Sequence, residues 1–97
     1  MEKIAVIETW TESEAGWGQR PDGVSIHLTK DDCANYVKKY WETMPDNVPD
    51  EYSRPDGNLK VIKVTDELYE DIKKSDCGIR IWNHNFKEIK DKIEYII

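Results

Sequence analysis

The sequence predicts an α+β fold: a two-layer sandwich of an about four-stranded, mainly antiparallel or mixed sheet with three helices on one face, in the order β-β-α-β-α-β-α. Three observations predict it. Apolar and polar residues alternate along several short runs, as in a sheet with one wet face, so helices belong on the other face. Two amphipathic runs start just after capping threonines, Thr29 and Thr65. The 97 residues make one domain with one modest core, since domains usually run to about 100–200 residues. Residues 1–97 are therefore read as a single domain. A doubly wound parallel sheet is the alternative, but these strands are too polar for burial on both sides.

Lys3–Thr9 is a β-branched, nearly continuous apolar run, read as a well-buried strand. Thr11–Gly23, with Gly16, Gly18, Pro21 and Gly23, is read as irregular. Val24–Leu28 alternates, with Val24, Ile26 and Leu28 to one side and Ser25 and His27 to the other. Thr29 then caps a helix running to about Thr43, because Asp31 and Asp32 suit its first turn and Pro45 ends it. Pro45–Asn58 holds three prolines and no period, and is read as an ordered loop packing Tyr52 against the first glycine-rich loop.

Leu59–Thr65 is a strand whose alternation slips at Ile62, implying a bulge or burial of both faces. Thr65 caps a short helix, Asp66–Ser75, stopped by Asp76-Cys77-Gly78. Ile79–Trp82 alternates again, with Ile79 and Ile81 inward and Arg80 and Trp82 outward. Phe86, Ile89, Ile93 and Ile96 then trace a final amphipathic helix from the Asn83-His84-Asn85 caps.

One internal echo stands out. Arg20-Pro21-Asp22-Gly23 recurs as Arg54-Pro55-Asp56-Gly57, each copy followed by a strand, a threonine and an acidic helical turn. Turn chemistry accounts for Pro-Asp-Gly, because Pro presets φ and Gly takes φ > 0. The repeated arginine suggests two guanidinium groups converging on one anion.

Composition narrows the function classes. Fourteen Lys+Arg stand against 20 Asp+Glu, a formal net charge of −6, which disfavours non-specific nucleic-acid binding. No apolar run is long enough to span a membrane, and Met1-Glu2-Lys3-Ile4 does not open a signal peptide. Cys33 and Cys77 are too few for a disulfide framework, so a cytoplasmic setting is expected. Four tryptophans are costly to leave exposed without a partner. With the apolar tail Tyr95-Ile96-Ile97, they suggest a homodimer, the commonest closed assembly.

Arginine forks grip phosphate or carboxylate, and aromatic rings stack on bases or cover apolar groups. The expected ligand- or partner-binding residues are therefore Trp10, Trp17, Arg20, His27, Tyr52, Arg54, Arg80 and Trp82. No catalytic residue, cofactor or metal site is assigned. The chain has no G-x-S-x-G, H-E-x-x-H, P-loop or complete G-x-G-x-x-G. His27, His84, Cys33 and Cys77 lack the paired short spacings of a zinc site. Lysine interleaved with acid over Lys60–Lys92 also argues against mimicry of DNA phosphates.

The stretch Trp10–Gly23, with Gly16-Trp17-Gly18 and the first Arg-Pro-Asp-Gly, and the later Tyr40-Trp41 and Tyr52-Ser53-Arg54-Pro55, resemble small bacteriophage-encoded accessory proteins of unknown function. That resemblance implies a small factor acting in a host cytoplasm against a host enzyme or defence system. The expected function is non-enzymatic binding of a small anionic, nucleotide-like ligand. The alternative is an inhibitor docking the same surface on a host protein, and an enzyme is the third reading.

Overall fold

The computed structural model describes residues 3–14, 18–43 and 52–95, with backbone alone for 13, 14, 18–20, 52, 53, 83, 84 and 95. The apolar run after Lys3 becomes β1 (Lys3–Glu14), the middle of a five-stranded antiparallel sheet. It is flanked by β2 (Gly18–His27) and β3 (Tyr52–Val64), with the short strands β4 (Ile79–Ile81) and β5 (Ile93–Tyr95) outside them. The order is β4-β2-β1-β3-β5. Two helices, α1 (Lys30–Glu42) and α2 (Asp66–Lys74), stand among the described residues. The α+β class holds, with five strands and two helices in place of four and three. Among the described residues, no helix is long and apolar enough to cross a membrane.

Both arginine-containing echoes lie within strands, where irregular chain and a loop were expected. The pairing Thr9↔Val24 gives way to Thr11↔Pro21, so β2 uses three residues against two on β1. On the other side Glu8↔Leu59 gives way to Trp10↔Pro55, four residues against two. Gly23 (φ 86) and Gly57 (φ 82) supply the left-handed residue in each irregularity. The two Pro-Asp-Gly copies are thus bulges placed on either side of one point of β1, around Trp10. Each proline sits where its strand is paired to β1 alone among the described strands, the position a ladder tolerates.

Period-2 alternation assigns the two sheet faces. Ala5, Ile7, Val24, Ile26, Ile62 and Val64 form one face and pack on Leu68 and Ile72 of α2, with Ile79, Ile81, Phe86 and Ile89 beside them. Thr65 caps α2, its Oγ1 accepting from the Leu68 N–H at 3.2 Å. The expected final helix is instead two 3₁₀ turns, Asn83–Glu88 and Lys90–Lys92, followed by β5. Its helical spacing yields because β3 offers an open edge at Ile62–Val64, which Ile93–Tyr95, β-branched and aromatic, pairs. Ile96 and Ile97 lie outside the described residues.

The other face is not wet, which corrects the two-layer expectation. Helix α1 lies across it over β1 and β2, so helices cover both sides of the sheet. Thr29 sets the start of α1, its Oγ1 accepting from the Asp32 N–H at 3.0 Å. The helical stripe Cys33, Tyr36, Val37 and Tyr40 faces the sheet. Beneath it, Glu8, Ser25 and His27 are buried polar residues.

Candidate functional site

The face under α1 is built from alternate residues of three strands: Val6, Glu8 and Trp10 of β1, Ser25 and His27 of β2, and Arg80 of β4. Register puts Val6 opposite His27, Glu8 opposite Ser25, and Ser25 opposite Arg80. Trp10, Ser25 and His27 are linked by hydrogen bonds. Trp10 Nε1 donates to Ser25 Oγ at 2.8 Å. His27 Nδ1 lies 2.5 Å from the Cys77 carbonyl and Nε2 lies 2.7 Å from Ser25 Oγ. A carbonyl only accepts, so Nδ1 carries the proton and Nε2 accepts from the Ser25 hydroxyl. The result is a one-way chain from Trp10 through Ser25 and His27 to the Asp76-Cys77-Gly78 turn. Burial pushes the His27 pKa down, partly offset by the Cys77 carbonyl and by Asp32.

Arg80 is held from four directions. Its Nη1 donates to the carbonyls of Val24 (3.2 Å) and Ile81 (2.9 Å), and its Nη2 to the carbonyl (2.6 Å) and Oδ2 (3.1 Å) of Asp22. Its guanidinium stacks 4.9 Å from the Trp10 ring and 4.2 Å from the Trp82 ring. Tyr36 and Tyr40 of α1 meet Trp10 edge-on at 6.2 and 5.0 Å. This aromatic–arginine cluster was expected as a binding surface. The structure brings Trp10, His27, Arg80 and Trp82 together, but as an inner layer in which only Trp82 is widely exposed, at 46%.

The remaining expected residues fall elsewhere. Trp17 lies outside the described residues. Tyr52 pairs by backbone with Ser13 at the far end of β1, a rung of sheet where a loop was expected. Arg20 pairs with Glu12 and Arg54 with Thr11. Among the described residues, no group of three or more His, Cys, Asp or Glu could hold a metal ion.

The open feature of this face lies on the other flank of α1. A trough of about 500 Å³ runs between α1 and β3, lined on one side by Lys30, Cys33, Ala34, Val37 and Lys38. Its floor and far wall are Glu8, Leu59 and the second bulge, Pro55-Asp56-Gly57. Glu8 Oε1 accepts from the Gly57 N–H (2.7 Å) and Asn58 N–H (3.2 Å), pinning that bulge beside the trough. Burial raises the Glu8 pKa, and the same two N–H groups restrain the rise. Burial, with Glu8 nearby, pushes the Cys33 thiol up to about 11, so it lines the trough as a neutral apolar group.

The trough continues as an apolar surface. Val61 stands two residues beyond Leu59 on the same face, and Ile4 stands two before Val6. Trp41 follows Val37 by four residues on the same helical stripe. Among the described residues five large apolar side chains are prominently exposed, Ile4 (42%), Trp41 (40%), Leu59 (37%), Val61 (40%) and Trp82 (46%); Leu59 lines the trough, and register puts Val61 and Ile4 on the same sheet face beyond it. The slip in alternation at Ile62 was the sequence signal for it. β3 stays in continuous register from Leu59 to Val64, so neither a bulge nor burial of both faces explains Val61. No family model, curated protein or solved structure matches the chain.

Proposed function

We propose that this protein is a non-enzymatic binding module whose working surface is the trough between α1 and β3, where it docks a segment of another protein. The observation that carries the reading is exposed Leu59 in the lining of the trough, with Val61 and Ile4 exposed on the same face of the sheet. Contiguous exposed apolar surface rimmed by polar residues marks interaction sites. Lys30 and Lys38 supply that rim here. Under this reading, the phage-accessory role implied by resemblance would be exercised by docking on a host protein. The test is selection of binders from a random peptide library, followed by rebinding to Leu59→Asp and to Glu70→Lys on exposed α2. Loss with the first variant alone supports the reading. Retention with both contradicts it.

Capture of a small anionic ligand is the second reading. The trough volume falls within the roughly 300–1,000 Å³ of ligand pockets, and two ammonium groups stand at its rim. The first reading is favoured because the polar groups on the other flank of α1 are already engaged within the protein: Trp10, Ser25 and His27 form a chain that ends on the Cys77 carbonyl, and Arg80 donates to Asp22, Val24 and Ile81. Calorimetric titration with inorganic phosphate and with ATP separates the two, since protein docking predicts no saturable heat from either.

A further inference from the structure

We infer that the partner docks as an extended strand, adding itself antiparallel to the outer edge of β3 at residues 59–61 and carrying an acidic residue opposite Lys60. This rests on the trough being the working surface, and deepens it to the backbone form and charge of the docked segment. Hydrogen-bond direction points to it first. The Thr65 N–H donates to the Lys92 carbonyl at 3.0 Å, and the same register pairs Lys63 with Glu94. In an antiparallel ladder, alternate residues bond to the same neighbour. Thr65, Lys63, Val61 and Leu59 therefore direct their N–H and C=O groups away from β1. β5 pairs only Ile62, Lys63 and Val64, so among the described residues no strand meets the outward groups of Val61 and Leu59. Such a row of main-chain donors and acceptors is a template for another strand.

The side chains point the same way. Residues 56–61 are all exposed. Leu59 and Val61 lie on the α1 side of the sheet, Leu59 within the trough lining, and Lys60 lies on the other side. The pairing present one step along the same edge indicates what suits it. β5 sets Ile93 and Tyr95 opposite Val64 and Ile62, and Glu94 opposite Lys63. Carried past Ile62, that pattern places apolar side chains opposite Val61 and Leu59, on the trough side, and an acid opposite Lys60. Opposite charges facing across a ladder are favourable. The other edge of the sheet is less open, because Arg80 Nη1 donates to the Ile81 carbonyl of β4. A second copy of this chain suits the β3 edge poorly. Two-fold pairing that joins Leu59 to Val61 opposes Lys60 to its own copy, and pairing centred on Leu59 sets Val61 against Gly57 of the bulge.

The experiment reads fluorescein-labelled peptides of about seven residues by anisotropy on the full chain, a length that covers the edge of a strand. The parent peptide alternates valine with polar residues, glutamate at its centre and threonine elsewhere. A second carries lysine in place of the glutamate. A third keeps every side chain but is N-methylated on the two valines that flank the glutamate, which removes the N–H groups aimed at Leu59 and Val61. N-methylation should weaken binding about tenfold or more, the scale of two hydrogen bonds. The lysine peptide should bind about threefold or more weaker than the parent, and Lys60→Glu should reverse that order. Equal binding of the parent and N-methylated peptides, lost in Leu59→Asp, would overturn strand addition and leave the trough standing. Binding unaffected by Leu59→Asp would overturn both. Equal binding of the glutamate and lysine peptides would overturn the acidic assignment. Binding of no peptide, binding only after Ile96 and Ile97 are removed, which would give the edge to this chain's own tail, or a dimer dissolved by Leu59→Asp would each overturn the inference.

Discussion

His27 and Cys77, fifty residues apart in sequence, are joined by a hydrogen bond from the imidazole Nδ1 to the backbone carbonyl at 2.5 Å. The bond ties the end of β2 to the turn before β4. Cys77 takes a left-handed backbone (φ 69), unusual for a residue other than glycine. Gly78 follows with φ 137. The ring of His27 occupies the space a side chain at Gly78 would need.

Gly78→Ala should therefore be severe. A Cβ there would stand 2.1 Å from His27 Nδ1 and 2.7 Å from the Ile26 carbonyl oxygen. Displacing the ring breaks both of its hydrogen bonds, and the backbone strain adds to the loss. We expect about 3 kcal/mol or more of destabilisation, a drop of at least 12 °C or so in a thermal melt. Gly57→Ala is the control. It has φ +82 but open space around its Cβ position, so only the left-handed conformation is penalised, by about 1–2 kcal/mol.

The same imidazole sets a pH dependence. Its folded pKa lies below the ordinary value of about 6.5, so the unfolded chain binds the proton better. Its contribution to stability is complete above about pH 6.5 and is lost as pH falls toward the folded pKa. Glu8 acts with opposite sign, because its raised pKa makes the folded state the better proton acceptor above about 4.5. Denaturant melts from pH 7.5 to 5 should show stability falling with acid. His27→Gln should flatten that fall. A parallel fall in both proteins would contradict the assignment.

Arg80→Ala should lower stability and leave peptide docking intact. The side chain is 11% exposed, and its partner Asp22 15%. Removing it strands three backbone carbonyls and a carboxylate, and uncovers Trp10 and Trp82. We expect about 2–4 kcal/mol of destabilisation by chemical denaturation. A binding loss without a stability loss would restore Arg80 to the role the sequence suggested.

Val61→Asp and Ile62→Asp test the register of β3 by adjacent substitutions. Val61 is 40% exposed and Ile62 0%. Aspartate at 61 should change stability by no more than about 0.5 kcal/mol, as at other surface sites. At 62 it buries a carboxylate against Leu68 and Ile72 and should prevent folding. Circular dichroism melts of the pair decide it.

Local rules made the caps and the core legible. Thr29 and Thr65 cap as expected, and Val24, Ile26, Ile79 and Ile81 share the apolar face. What local reading missed was set by distant pairing. Pro55 and Gly57 look like loop residues until β1 is laid beside them, where they become a bulge held by Glu8. Ile93 has helical spacing from Ile89, yet the open edge at Val64 claims it for β5. The aromatic–arginine cluster was legible as a group, but its burial depended on α1 crossing the sheet, which no alternation pattern reports. Leu59 and Val61 were visible as apolar residues; only the fold leaves both exposed on one sheet face, with Leu59 in the trough.

The central claim is that partners dock between α1 and β3, and not on the Trp82 side of α1. Four tryptophans make this measurable through their indole N–H resonances. With a library-selected peptide added to ¹⁵N-labelled protein, the Trp41 indole signal and the Ala34, Val37, Leu59 and Val61 amide signals should move together and saturate at one affinity. The Trp82 signal should stay in place. Movement of Trp82 and Arg80 with Trp41 and Leu59 unchanged would contradict the account.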